Sequence, residues 1–214
     1  MMKYRHWFFD LDGTLAQTGE DIILAWKGAI AAAGRDLAHF DEVFKIGPTL
    51  EQMVYALYDD ATPELVADLM ARFKPLYDES GFPNTRPYPG VRELLAAIRA
   101  AGGRAYVVTN KRHRATQLIA KKFGWDRLMD GVFSYDSFET KYKKPELLAR
   151  LMADFGCAAR DSVMVGDTKG DVEAGKANAV ATVGVTYGYG TAEEVASADY
   201  VFSSPGDIAK SLLI

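Results

Sequence analysis

The sequence predicts an α/β fold: a Rossmann-like parallel sheet core with an inserted all-helical cap domain. From residue 91 onward, short β-branched strands alternate with helices, a pattern typical of a parallel sheet covered on both faces. One apolar strand stands alone far upstream, at residues 6–9, and the stretch between shows helical patterns only. We therefore expect residues 1–15 and 85–214 to form the core domain and residues 16–84 the helical cap domain.

The inserted stretch contains three helix-start signals. Two pairs have capping-box spacing, and a third places proline at the first helical position; they are Thr18–Asp21, Thr49–Gln52 and Thr62–Pro63. Apolar residues recur at helical spacing after each pair. The insertion is therefore expected to hold at least three helices.

After the turn at residues 88–90, strands and helices alternate to the end of the chain. The predicted strands are 104–109, near 132–133, 162–165, 181–185 and 200–202. The predicted helices are 91–101, 113–123, 146–155, 170–178 and two short helices that flank the last strand. Because open α/β sheets bind ligands beyond the carboxyl ends of their strands, polar residues at those ends are the first candidates for a site.

Composition excludes several classes of partner. The net charge is −4, so the chain lacks the basic footprint that nucleic acid or an anionic membrane requires. Its single cysteine, Cys157, suits a reducing compartment. The N-terminal apolar run meets Asp10 too early for a signal peptide, and no stretch approaches the roughly 20 apolar residues of a bilayer span. We expect a cytoplasmic monomer or homodimer that binds neither nucleic acid nor membrane.

Carboxylates follow two of the predicted strands. Asp10 and Asp12 come after the first strand, and Asp167 and Asp171 come after the strand at 162–165. Each alone is compatible with an ordinary turn or helix cap. Four of them in one crevice would repel one another without a cation, and such hard oxygen ligands suit Mg²⁺.

The spacing of Asp10 and Asp12 allows two separate roles, because the chain turns at Gly13 directly after them. One carboxylate can attack phosphorus as a covalent nucleophile. The other can give a proton to the leaving group and later take one from water.

Uncharged and cationic groups complete the set. Thr109 and Asn110 offer a hydroxyl and an amide that can hold phosphoryl oxygens, although the same pair is common in strand-end turns. A lysine would neutralise charge on a transferred group. Lys144 directly precedes Pro145, which suits the first turn of a helix and favours Lys144, whereas a solvated basic run is the alternative for Lys141 and Lys143.

Two glycine-containing segments have the look of nucleotide-binding loops but lack their chemistry. The segment 170–176 is followed by Ala177 rather than Ser or Thr, and it puts Asp171 where phosphates would lie. Gly188-Tyr-Gly190 is too short for a dinucleotide fingerprint. Neither is assigned a ligand.

Taken together, the motifs resemble the haloacid dehalogenase-like hydrolase superfamily, in its phosphoglycolate phosphatase-like branch with a helical cap. The resemblance covers nearly the whole chain and depends on four segments: residues 10–14, residues 107–111, Lys144 with Pro145, and residues 166–171. The presence of Asp12 favours a phosphatase over a dehalogenase.

The resemblance implies a Mg²⁺-dependent phosphatase that hydrolyses a small phosphorylated substrate through an aspartyl-phosphate. It implies these roles: Asp10 as nucleophile and metal ligand, Asp12 as general acid/base and metal ligand through its carbonyl, Asp167 supported by Asp171 as the rest of the metal site, and Thr109, Asn110 and Lys144 as phosphate-binding residues. Thr49, where a cap helix begins, is the candidate for substrate selectivity. The alternatives are a phosphomutase or pyrophosphatase of the same fold, or a catalytically silent phosphate-binding regulatory module. The substrate itself is open among phosphoglycolate, pyrophosphate, nucleotides and sugar phosphates.

Overall fold

The first predicted strand lies inside a six-stranded parallel sheet. The structure, a computed structural model, describes residues 2–213. Its strands are β1 (His6–Phe9), β2 (Ala16–Gln17), β3 (Arg86–Pro87), β4 (Arg104–Thr109), β5 (Gly131–Ser134), β6 (Ser162–Gly166), β7 (Ala181–Val185) and β8 (Tyr200–Phe202). The parallel sheet has the strand order β5-β4-β1-β6-β7-β8. Phe9 of β1 lies opposite Val107 on one side and Val165 on the other. The chain order of the strands thus brings three strand ends, far apart in sequence, next to one another.

The central strands are apolar on both faces, as parallel sheets between helices require. Trp7, Phe8 and Phe9 are consecutive and all buried, and Val107 and Val165 are buried beside them. Strict alternation of apolar and polar residues would instead have left one face of the sheet in water. The parallel sheet confirms the predicted α/β class.

The chain divides into two compact units. The first runs up to Gln17 and resumes at Arg86, and the second is Thr18–Thr85. Strand β2 ends where the chain leaves the first unit, and β3 begins where the chain returns to it. The two strands pair antiparallel, with Ala16 opposite Pro87. The expectation that residues 16–84 are entirely helical is therefore wrong at its start, because residues 16 and 17 extend to pair with β3.

The helical unit contains α1 (Gly19–Ala32), α2 (Phe40–Val43), α3 (Leu50–Leu57) and α4 (Pro63–Asp78). Its core is aromatic: the Trp26 ring lies 5.0 Å from Phe73 between centroids and 6.3 Å from Phe44. The predicted capping box of Thr49 and Gln52 is present at the start of α3. Within the described part of the chain, α1 begins without the box predicted for Thr18, because the Asp21 carboxylate instead accepts from Asn84 and Thr85.

The other unit contains α5 (Val91–Ala100), α6 (His113–Lys122), α7 (Lys144–Phe155), α8 (Lys169–Ala177), α9 (Ala192–Val195) and α10 (Pro205–Leu212). One core cluster joins Phe8 and Met164 of the sheet to Leu147 of α7, and Cys157 packs into it. Cys157 is a free buried thiol, and burial raises its pKa, so it is a packing residue. Helix α7 starts two residues earlier than predicted, which makes Lys144 its first residue. None of the helices in residues 2–213 is long and apolar enough to cross a membrane.

Candidate active site

The chain leaves β1 through a tight turn that presents the carboxylate of Asp10. The Asp10 backbone N–H donates to the Val165 carbonyl (2.9 Å), which keeps it level with the end of β6. The Leu11 carbonyl then accepts from three successive N–H groups, those of residues 14–16 (3.3, 2.9 and 3.0 Å). Gly13 has φ +81°, and a Cβ there would lie 2.0 Å from an Asp167 carboxylate oxygen. Glycine is thus required both for the turn and for the approach of Asp167.

Three buried carboxylates converge beside this turn. One oxygen from each of Asp10, Asp167 and Asp171 lies within 4.8 Å of the other two. Asp10 Oδ1 is fully buried and has no hydrogen-bond partner among the described residues. A buried carboxylate oxygen that accepts no hydrogen bond, beside two more hard oxygen donors, fits a small divalent cation such as Mg²⁺.

Lys144 provides the cation that the structure places among them. Its Nζ lies 2.5 Å from Asp171 Oδ1 and 3.1 Å from Asp10 Oδ1, at ion-pair distance from Asp10 but not aligned for a hydrogen bond. The Lys144 side chain is only 6% exposed, whereas Lys141 and Lys143 are exposed. Of the three lysines, the structure brings Lys144 to the carboxylates.

The electrostatics show a deficit of positive charge. Burial, together with the neighbouring carboxylates, raises the pKa of Asp10 to about 7 even though Lys144 opposes the shift. Burial and the Asp171 carboxylate likewise raise the pKa of Asp167 to about 6. Burial alone would lower the pKa of Lys144, but Asp10 and Asp171 outweigh it and raise that pKa. One ammonium does not balance three carboxylates, so the pocket favours either protons or an additional cation.

Asp12 points to a different partner. Its two carboxylate oxygens lie 3.0 and 3.2 Å from Nζ of Lys111. Both side chains are largely buried, 12% and 6% exposed. Burial lowers the pKa of Lys111, and the pull of Asp12 opposes this shift. The sequence alone assigns no role to Lys111, although this residue directly follows Asn110 in one of the four segments that carry the resemblance.

Thr109 and Asn110 follow at the end of β4, next to β1. Thr109 is buried, and its hydroxyl accepts from the Lys111 backbone N–H (3.2 Å). Asn110 is half-buried and comes directly after the strand. Thr49 belongs to the helical unit, where its hydroxyl accepts from the Gln52 N–H (3.3 Å), and its part in selectivity stays a prediction.

Asp167 and Asp171 are each held by neighbouring donors. Asp171 Oδ2 accepts from the Thr168 N–H (3.1 Å) and hydroxyl (2.7 Å) at the start of α8. Asp167 Oδ1 accepts from the Thr14 hydroxyl (3.2 Å). Asp167 Oδ2 accepts from the N–H groups of Tyr189 (2.7 Å) and Gly190 (3.2 Å). The last two donors could not be predicted from the sequence, because the backbone N–H groups of residues 189 and 190 carry no chemical signature.

Comparison with known proteins identifies the class. A family model described as haloacid dehalogenase-like hydrolase matches residues 7–185. A 5′-nucleotidase of Pseudomonas aeruginosa is 33% identical over 203 residues, covering 91% of this chain and 88% of its own. A phosphoglycolate phosphatase of Photobacterium profundum is 31% identical over 200 residues, covering 89% and 87%. The crystal structure of a predicted phosphoglycolate phosphatase from Haemophilus somnus superposes with a TM-score of 0.87 at 28% identity, covering 98% of both chains.

The chain belongs to the haloacid dehalogenase-like hydrolase family. The resemblance inferred from the four segments is therefore confirmed, and so is the predicted class of enzyme, a phosphoric monoester hydrolase.

Proposed function

We propose that this protein is a Mg²⁺-dependent phosphatase that hydrolyses a small phosphomonoester through an aspartyl-phosphate on Asp10. The observation that supports it most directly is the buried group of Asp10, Asp167 and Asp171, in which Asp10 Oδ1 accepts no hydrogen bond from the described residues. Asp10, Asp167 and the Asp12 carbonyl would hold the ion, with Asp171 in support. A bound Mg²⁺ would polarise the phosphoryl oxygens and offset the carboxylate charge.

In the proposed first step, an Asp10 oxygen attacks phosphorus and the bond from phosphorus to the leaving oxygen breaks. Asp12 gives its proton to that oxygen. In the second step, a water molecule attacks the aspartyl-phosphate, and Asp12 takes a proton from that water. The bond between phosphorus and Asp10 then breaks, which releases inorganic phosphate and restores the carboxylate.

Three residues would bind the phosphoryl group. Thr109 and Asn110 supply uncharged donors at the end of β4, and Lys144 supplies a buried positive charge already 3.1 Å from Asp10. Charge that develops on the transferred group would meet donors that are already in place, the arrangement that electrostatic catalysis requires.

For the substrate we propose phosphoglycolate or a similarly small phosphomonoester, because a relative named phosphoglycolate phosphatase matches most of this chain. A nucleoside 5′-monophosphate is the second candidate, because the Pseudomonas relative is a 5′-nucleotidase. We further propose that the helical unit acts as a cap that selects between such leaving groups, with Thr49 as its selectivity residue. A cytoplasmic location completes the proposal.

A phosphate-release assay over a panel of phosphomonoesters tests this function. The panel holds phosphoglycolate, nucleoside 5′-monophosphates, sugar phosphates and pyrophosphate, each with Mg²⁺ and with EDTA. We expect release from at least one small monoester, its loss in EDTA, and its recovery when Mg²⁺ is restored. Full activity in EDTA would contradict the metal assignment, and no release from any compound would favour a silent binding module.

A further inference from the structure

The segment Tyr187–Gly190, which we call the 187–190 loop, follows β7 and packs onto Asp167. Its start is anchored, since the Thr186 N–H donates to the Phe202 carbonyl (3.0 Å) and the Tyr187 hydroxyl donates to the Thr14 carbonyl (3.1 Å). The Tyr187 ring packs against Tyr88, with 4.7 Å between centroids. The loop is therefore tied both to the sheet and to the turn that follows Asp10.

Two glycines let the loop backbone come this close. A Cβ at residue 188 would lie 2.3 Å from the Gly13 carbonyl oxygen and 2.4 Å from Asp167 side-chain atoms. A Cβ at residue 190 would lie 1.8 Å from the Asp167 carbonyl oxygen. These distances are far below van der Waals contact and involve backbone atoms, so larger residues would push the loop away from Asp167.

The close approach is used for hydrogen bonding. Two successive N–H groups, of Tyr189 and Gly190, both donate to Asp167 Oδ2, and the Thr14 hydroxyl donates to Oδ1. The donors fix the rotation of the carboxylate plane, while the same side chain keeps one oxygen within 4.8 Å of Asp10 and Asp171. Hydrogen bonds of this kind orient a metal ligand and typically change metal affinity about 10–100-fold when removed.

We infer that the 187–190 loop is a positioning element for the metal site: its two backbone N–H groups hold the Asp167 carboxylate in the orientation that binds a divalent cation. The inference extends the proposed function, because it requires Asp167 to be a ligand. It gives a structural role to a glycine pair that is too short for a dinucleotide loop.

Replacing one amide by an ester tests the inference without changing any side chain. Incorporation of p-hydroxyphenyllactate at position 189 removes the Tyr189 N–H and retains the phenol. Binding of Mn²⁺ to the full-length protein is followed by the EPR signal of the free ion, and Mg²⁺ is measured by competition. We expect the ester to weaken binding of both ions at least tenfold. Tyr189→Phe keeps the N–H and changes only the phenol, so its affinity should stay within twofold of the wild type.

Glycine variants give a second approach. Gly188→Ala and Gly190→Ala should weaken Mn²⁺ binding at least as much as the ester does. Gly206→Ala is the control, since the Ser204 hydroxyl lies 3.7 Å from a Cβ built there, which is an ordinary van der Waals distance. Thermal unfolding of the metal-free proteins separates the two effects, because a purely structural loop would lower the melting temperature without changing the affinity of the folded protein.

Asp167→Asn distinguishes failure of the inference from failure of the proposed function. If Asp167→Asn abolishes Mn²⁺ binding while the ester binds as the wild type does, the loop inference is overturned and the metal site stands. If Asp167→Asn itself leaves binding unchanged, both are overturned, because Asp167 is then no ligand to be positioned.

Discussion

Asp10 and Asp12 are two residues apart, yet each has its own buried lysine. Lys144 Nζ lies 3.1 Å from Asp10, and Lys111 Nζ lies 3.0 Å from Asp12. Asp10 also shares its pocket with Asp167 and Asp171, and burial, together with their charges, raises its pKa to about 7. Two carboxylates of one turn thus experience different surroundings, which is the physical basis on which enzymes give neighbouring carboxylates different tasks.

Substitution of the two aspartates should separate those tasks. Asp10→Asn removes the proposed nucleophile, so we expect neither turnover nor a phosphorylated protein. Asp12→Asn keeps that nucleophile but lacks the proposed proton donor, a role worth about 10²–10⁴-fold. With p-nitrophenyl phosphate, whose leaving group needs little protonation, Asp12→Asn should lose less activity than with phosphoglycolate and should accumulate phosphorylated protein in intact-mass spectra. A phosphorylated Asp10→Asn protein would show that the nucleophile is another residue.

We predict that loss of the Lys144 side chain lowers activity far more than loss of the Lys141 or Lys143 side chain. Lys144→Ala leaves Asp10 and Asp171 without their shared ammonium, so we expect kcat/KM to fall at least tenfold, about 1.4 kcal/mol, relative to Lys141→Ala or Lys143→Ala. Breaking a buried ion pair also costs about 3–5 kcal/mol of stability, which urea unfolding would measure. Lys143 is a fair control, because its backbone N–H, not its side chain, donates to Glu146 (3.0 Å) at the start of α7. Near-normal activity of Lys144→Ala with loss in Lys141→Ala would move the phosphate role to Lys141.

At the scale of elements, the sequence predicted most of what local chemistry determines. The strands around β1, β4 and β6 follow from apolar runs, and the caps at Thr49 and Thr62 follow from the residues next to them. The expected cap at Thr18 failed because the Asp21 carboxylate binds Asn84 and Thr85, over 60 residues away, and spacing cannot show this. The 187–190 loop was missed for the same reason, since its contacts with Asp167 are made by backbone groups.

Helix α3 provides the element-scale prediction, that Thr49 selects the substrate. Thr49→Val removes the hydroxyl that caps α3, which should cost about 1 kcal/mol of stability. Thr62→Val is the matched control, because Thr62 caps α4 through the Leu65 N–H (3.3 Å) in the same unit. We expect similar melting temperatures for both variants, but a changed ratio of kcat/KM between phosphoglycolate and nucleoside 5′-monophosphates for Thr49→Val only. Equal kcat/KM ratios in the two variants would show that Thr49 does not determine substrate selectivity.

At the scale of the whole molecule, the acidic pocket opposes folding when no cation is bound. The usual pKa of an aspartate is about 3.9 in an unfolded chain. In the fold, burial raises the pKa of Asp10 to about 7 and that of Asp167 to about 6. Between pH of about 3.9 and about 7 the folded protein therefore binds more protons than the unfolded chain does. Its free energy of unfolding falls as pH rises through this range. The stabilisation due to these protons is complete below pH of about 4 and is lost as pH rises through 6–7.

The metal-free protein should accordingly be less stable toward urea in EDTA at pH 8 than Asp10→Asn, with the gap between the two narrowing at pH 5.5. The ionisable groups that both proteins contain contribute equally to the two stabilities, so the difference in stability reports on Asp10. Mg²⁺ bound at the proposed site would bind only the folded state and compete with the protons of Asp10 and Asp167, so added Mg²⁺ should stabilise the wild type more at pH 8 than at pH 5.5. Equal urea midpoints for wild type and Asp10→Asn at both pH values would mean that Asp10 is ionised at little cost in the metal-free fold. In that case the charge deficit of the pocket would not be what attracts the cation.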